Sequence, residues 1–312
     1  MTSIKAKDTS LDPFTALGKL IPDVTDLYSA VKAKNSDKAN QLCEHIIDRI
    51  YRITDRDHNA ALAAIHLCKE PSPIKQAIYS GVIAHLLSQQ QGIQGDTKVS
   101  LMRAILLANL TFYEFQVLLN TMDGKLTETQ RTKLQKHPLE SAQKLELAGF
   151  VDPVMIKAIR QHHERLDGTG YPNQLKGNEI STLALIISIC ETYTARIDNR
   201  AYRKPVHPRE ALSHLLNEED QRVKELLISL AKAIGLYPPG TWVKLASGEI
   251  AMVTGVSSAT PVPRVVALFD PQGKPYMGKI IRDAKNPATK VTGPSFPPKL
   301  PSVDLQSLFD TH

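Results

Sequence analysis

The six residues GLYPPG at 235–240 divide the chain into two hydrophobic periodicities, and no single element type accommodates both. Upstream, apolar residues recur at helical spacing and helix punctuation is frequent. Ser72-Pro73 is an N-cap followed by proline at the first helical position, and it predicts a helix over IKQAIYSGVIAHLLSQ. VSLMRAILLANL, from Val99 to Leu110, reads as a second apolar helix. His137-Pro138 reads as the start of LESAQKLELAG with Gly149 as its stop, and Asp152-Pro153 as the start of VMIKAIRQHHE. TLALIISICETYTARI at 182–197 and REALSHLL after His207-Pro208 complete the pattern. Downstream, TWVKLASGEIAMVTGV alternates apolar and polar residues around Ser247-Gly248, which predicts a β-hairpin. PRVVALFD and YMGKII read as further strands.

The expected fold is therefore mainly α. Residues 1–72 form an N-terminal helical segment that includes DKANQLCEHIIDRIYRI, and 73–235 form an all-α domain. A small β-barrel-like domain occupies 236–285, and a proline-rich tail, read as partly extended, occupies 286–312. No apolar run reaches the roughly 18–20 residues of a membrane span, and MTSIKAKDTSLDPF carries no apolar signal core. The expectation is a cytoplasmic chain without a membrane span. Cys43, Cys68 and Cys190 sit in apolar helical contexts and read as reduced core thiols. The net charge of +6 suits an anionic ligand, but it is dispersed, which argues against a nucleic-acid polymer as partner.

The densest chemistry lies in HHERLDGTGYP, residues 162–172. Consecutive histidines stand about 100° apart on a helix, so both point inward only near its end. Gly168 and Gly170 permit a tight turn there, and Pro172 stiffens its exit. A histidine pair alone is more often a packed or solvated pair than a ligand set, and Asp-Gly alone marks a turn. The combination of all eleven residues is improbable by chance.

That combination resembles the signature of the HD-GYP family, bacterial phosphohydrolases that open cyclic di-GMP. KHPLESAQKLELAGF resembles the family's His-Pro helix, NQLKGNEIS follows the signature as in the family, and RAYR at 200–203 matches its arginine segment. GLYPPGTWVKLASGEIAMV is similar to the small β-domain often found behind such domains. The resemblance implies an HD-type all-α helical domain whose catalysis rests on a cluster of metals. Such a cluster lowers the pKa of a bridging water and clamps phosphate oxygens.

Carried over position by position, the resemblance implies a reduced site. LLANLTF sets Ala108 at the family's histidine, Asn109 at its bridging aspartate and Phe112 at its lysine, while Ile78 falls at the upstream histidine. Glu191 replaces a late aspartate, and His137, His162 and His163 remain as metal ligands. Tyr171, Arg200 and Arg203 match positions that contact the dinucleotide. Arginine grips phosphate with parallel donors and stacks on a base. The bland alternatives are a loop anchor under Pro172 for Tyr171 and a solvated pair for the two arginines. Cys190, beside Glu191, reads as a buried inert thiol, and His45, His58, His66, His85, His207 and His214 show no paired ligand spacing.

Three states stay open at this point: a metal-free fossil, one transition-metal ion (Fe, Mn, Ni or Zn) on three histidines, and a working binuclear hydrolase. The functional expectation is a degenerate HD-GYP protein without efficient phosphodiesterase activity. It would act by binding cyclic di-GMP or signalling proteins. A slow metal-dependent phosphohydrolase and a scaffold that binds no nucleotide are the alternatives.

Overall fold

A computed structural model describes residues 11–68, 72–119, 126–198, 205–216, 220–257, 260–299 and 301–309. Among the described residues, twelve α-helices run in chain order: α1 (Pro13–Ala16), α2 (Leu20–Lys32), α3 (Ser36–Arg56), α4 (His58–Leu67), α5 (Pro73–Gln90), α6 (Gly95–Leu107), α7 (Tyr113–Leu119), α8 (Glu128–Leu147), α9 (Pro153–Gln161), α10 (Thr182–Ile197), α11 (Pro208–Leu216) and α12 (Gln221–Ile234). Five strands follow: β1 (Trp242–Leu245), β2 (Ile250–Ser257), β3 (Thr260–Phe269), β4 (Pro275–Arg282) and β5 (Val291–Pro294). None of the described helices is long and apolar enough to cross a membrane.

The apolar faces of the helices merge into one core. It runs from Ala16 to Ile234 without a break at residue 72, so the N-terminal helices and the domain expected from 73 onward share one interior. Helix α5 passes through its middle, buried on every side from Ile74 to Ser88 and packed by α2, α3, α6, α10 and α12. Caps fix where the flanking helices begin. Asp152 accepts from the amides of Val154 and Met155 at 2.9 and 3.1 Å to start α9, and Ser181 caps α10.

His137-Pro138 does not open a helix. It lies within α8, which begins nine residues earlier, just after a reciprocal capping box between Thr127 and Gln130 (2.9 and 3.3 Å). Proline favours a first helical turn, but here it interrupts the interior, and the interruption has a use described below.

The β-strands form an antiparallel sheet in the order β4-β3-β2-β1-β5. The sheet is open, so the barrel-like expectation holds only loosely. Its last strand, β5, comes from the segment expected to be a proline-rich tail, and it pairs with β1 through Val243–Pro294 and Lys244–Gly293. The hairpin expected at Ser247-Gly248 joins β1 to β2, with Gly248 at φ 88°.

The sheet docks on α4. Ala60 and Ala63 meet Met252, Val266, Leu268 and Phe269 in a second apolar cluster. Gly240, at φ 85°, lies so close that a Cβ there would stand 2.8 Å from the Ala63 Cα. His66 ties the same junction to the helical core. Its Nδ1–H donates to the Pro239 carbonyl (2.8 Å), and its Nε2 accepts from the Tyr193 hydroxyl (2.7 Å). His207 adds a bond from Nε2–H to the Trp242 carbonyl (2.9 Å).

Burial pushes His66 from an ordinary value of 6.5 down to about 4, although the Pro239 bond opposes the shift. A lowered folded pKa means that the unfolded chain binds the proton first. His66 therefore contributes stability above about pH 6.5, and that contribution is lost as the pH falls toward about 4. Melting temperatures measured across this window are expected to fall less steeply in His66→Gln than in the wild type. Equal slopes would contradict the role assigned to His66.

Candidate metal and ligand site

Three imidazoles converge between α8 and the end of α9. His137 is buried at mid-α8, His162 is the buried C-cap residue of α9, and His163 follows in the turn. One ring nitrogen from each lies within 4.8 Å of the others. Helix α9 ends at Gln161, and this ending lets consecutive histidines face the same point.

The tautomers of the two buried rings are set by the backbone. Pro138 has no N–H, so the carbonyl of Leu134, four residues earlier, lacks its helical donor. His137 Nδ1–H donates to that carbonyl at 2.6 Å. At the end of α9, the Ile159 carbonyl is among the last four, which a helix leaves without a partner. His162 Nδ1–H donates to it at 2.6 Å. A carbonyl can only accept, so both rings carry their proton on Nδ1 and turn a lone pair outward on Nε2.

Those two Nε2 atoms stand 3.2 Å apart. Neither carries the proton that a hydrogen bond between them would need. Burial pushes His137 down to about 3, with nearby His162 lowering it further, and burial pushes His162 down to about 4. Burial likewise holds His163 well below the ordinary value. Near neutral pH, two lone pairs therefore face each other in a buried site, which is unfavourable unless a cation lies between them. Two imidazoles on one tetrahedral ion, with bonds of about 2.0–2.1 Å, would hold their nitrogens about 3.3 Å apart. The donor set fits a single transition-metal ion.

The second half of the site is different. Asn109, just past the end of α6, donates from Nδ2 to Glu191 Oε1 of α10 at 2.6 Å. The other Glu191 oxygen lies 3.8 Å from His162 Nε2. An amide donor thus occupies the carboxylate that a second ion would need. Ala108 is fully buried and offers no ligand. Phe112 stacks on His137 with ring centroids 4.9 Å apart and planes 29° apart. Ile78 is fully buried in the core. The α5 residue that reaches this region is Gln76, two positions earlier, which donates to the Glu191 carbonyl (3.5 Å) and accepts from Gln116 (3.1 Å). Neither Ile78 nor Gln76 supplies the imidazole that the resemblance expects from this helix.

The signature loop is held from below by Glu164, whose role sequence reasoning missed. Its buried carboxylate accepts from the amides of Asn173 (2.6 Å) and Leu175 (3.0 Å). Gln161 joins the same region to α10 through Glu179 and Ser181. Gly170 has no room for a side chain, since a Cβ would stand 2.3 Å from the Arg165 nitrogen and 2.5 Å from the Glu164 Cα. Tyr171 then lies over His163, with centroids 4.7 Å apart, and its amide donates to the His163 carbonyl (3.1 Å). Burial, aided by Glu191, raises its hydroxyl pKa, so it stays a neutral donor. Arg200 and Arg203 fall outside the described residues. Cys190 is fully buried and burial raises its thiol pKa, as an inert thiol requires.

Glu164→Ala removes the acceptor from two amides at once. An expected loss of about 2–4 kcal/mol follows from leaving charged-group hydrogen bonds unmade in a buried loop. Chemical denaturation checks this, and a loss under about 0.5 kcal/mol, typical of a surface change, would contradict it.

Residues 62–225 match the family model described as HD domain. A cyclic di-GMP phosphodiesterase of Pseudomonas aeruginosa is 33% identical over 154 residues, covering 48% of this chain and 37% of that protein. The cyclic di-GMP phosphodiesterase PdeB of Borreliella burgdorferi is 24% identical over 213 residues, covering 68% of this chain and 53% of that protein. The chain thus spans between about a third and a half of the length of these relatives. Among solved structures, Bd1817, a HDG"Y"P protein from Bdellovibrio bacteriovorus, shares the fold with a TM-score of 0.58 at 19% identity, covering 74% of this chain and 75% of that one.

Proposed function

Because the chain belongs to the HD domain family, as a member of its HD-GYP branch, we propose that it is a cyclic di-GMP signalling protein that binds rather than efficiently hydrolyses its ligand. The observation that carries this reading is the 2.6 Å bond from Asn109 Nδ2 to Glu191 Oε1. A carboxylate at 109 would attract and share two dications, whereas a neutral amide that donates to the neighbouring acid does neither. One transition-metal ion (Fe, Mn, Ni or Zn) would be held by His137, His162 and His163, with Glu191 alongside. When bound, such an ion polarises a phosphate oxygen.

The chain's own residues do the recognition. Tyr171, fixed by Glu164 and Gly170, presents its ring at the rim of the histidine cluster for stacking on a base. Arg200 and Arg203 supply charge for the phosphates. Signalling proteins are further partners on this reading, and the cytoplasm is its compartment.

The facing imidazoles also favour a second reading, a slow metal-dependent phosphohydrolase working with this reduced site. Metal-loaded protein incubated with cyclic di-GMP separates the two. The binding reading expects micromolar affinity, weakened about tenfold in Tyr171→Ala or Arg200→Ala, with turnover far below about 1 per second. Turnover near that rate, typical of working enzymes, would overturn it. No binding at all would point to a scaffold.

A further inference from the structure

Away from the histidine cluster, a cleft of about 1030 Å³ lies where α3 meets α4, against β3, β4 and the 3-10 helix Gln306–Phe309. Its lining shares no residue with the site described above. Five cationic residues line it, Arg56, Arg264, Lys279, Arg282 and Lys285, against two acidic ones, Asp57 and Asp283. Both acids are engaged locally: Asp57 caps α4 through the Ala60 amide (2.9 Å), and Asp283 accepts from the Lys285 amide (2.9 Å). Arg282 is neutralised by the buried Glu249, at 3.0 Å from Nε to Oε2. Among the described residues, Arg264 and Lys285 have no carboxylate within ion-pair distance.

The sheet is built to aim Arg264. Its register partner is Gly255, and the β2–β3 pairing shifts on both sides of that residue. A Cβ at Gly255 would meet the Arg264 guanidinium at 2.3 Å, so the planar group lies in the space that a side chain at 255 would fill. Val266 and Ile281 give the cleft an apolar wall. Concavity of this size, an apolar wall and converging cations describe a small-molecule site rather than a stripe for a polymer.

We propose that this cleft binds a phosphate-bearing nucleotide, with the phosphates on Arg264 and Lys285 and the nucleoside against the apolar wall. Calorimetric titration of the full chain with ATP, with pyrophosphate and adenosine as comparators, tests it. The expected result is a dissociation constant of about 1–100 μM for ATP, weaker binding of pyrophosphate and none of adenosine. Arg264 is exposed, and Arg264→Ala is expected to keep the fold and to weaken ATP at least about tenfold. Lys285→Ala should do so independently. Absence of ATP heat up to about 1 mM, binding unchanged in both cleft variants, or pyrophosphate binding as tight as ATP would each overturn the proposal.

Discussion

Asn109→Asp is expected to make the fold depend on metal. In the wild type the Asn109 amide donates to Glu191 at 2.6 Å, and both groups lie beside the buried His162. The substitution sets two carboxylates in that contact. Like charges at this distance do not both ionise without cost, so one must take up a proton or the pair must separate. The metal-free variant is expected to lose about 2–4 kcal/mol, which corresponds to about 5–10 °C in melting temperature for a chain of this size. A dication bridging the two acids removes the repulsion. Manganese at about a hundred times its dissociation constant should return about 2.7 kcal/mol. Wild-type protein, with its amide in place, should gain less from the same addition. Calorimetric scans with and without the ion check this, and a variant as stable as the wild type in both conditions would contradict it.

His162→Ala is expected to have the largest effect on metal content. The ring contributes one of three nitrogen ligands, and its tautomer is fixed by the Ile159 carbonyl. Removing even an outer-shell partner of a metal ligand costs about 10–100-fold in affinity, and removing the ligand itself should exceed that. Element analysis after exposure to micromolar metal is expected to give under about a tenth of an ion per chain. Fold loss must be separated from ligand loss, because the ring is fully buried. His163→Ala supplies this control, since its ring is less buried and its removal should lower metal content with a smaller effect on melting temperature. A full complement of metal in both variants would contradict the assignment.

Much of this site was legible in the sequence because its parts are local. The eleven residues of HHERLDGTGYP set a helix end, a tight turn and a tyrosine next to one another, and each follows from residue type and spacing. The GLYPPG boundary was legible for the same reason. What the sequence concealed depends on backbone groups or on distant partners. His137-Pro138 read as a helix start because proline suits a first turn. Its actual effect is to free the Leu134 carbonyl for the preceding histidine. Glu164 read as one letter of a motif, because its partners are backbone amides nine and eleven residues away. Ile78 and Gln76 differ by two positions on a helix that is buried nearly all round, so periodicity could not say which one faced the site. Strand β5 was hidden because four residues with a glycine and a proline carry almost no alternation, and pairing with β1 supplies what local preference lacks.

The most direct test counts ions in crystals of the wild-type protein grown with excess manganese or iron, by anomalous scattering at the metal edge. One fully occupied peak among His137, His162 and His163, with Asn109 still donating to Glu191, is the predicted result. Two fully occupied peaks sharing Asn109 or Glu191 would contradict it.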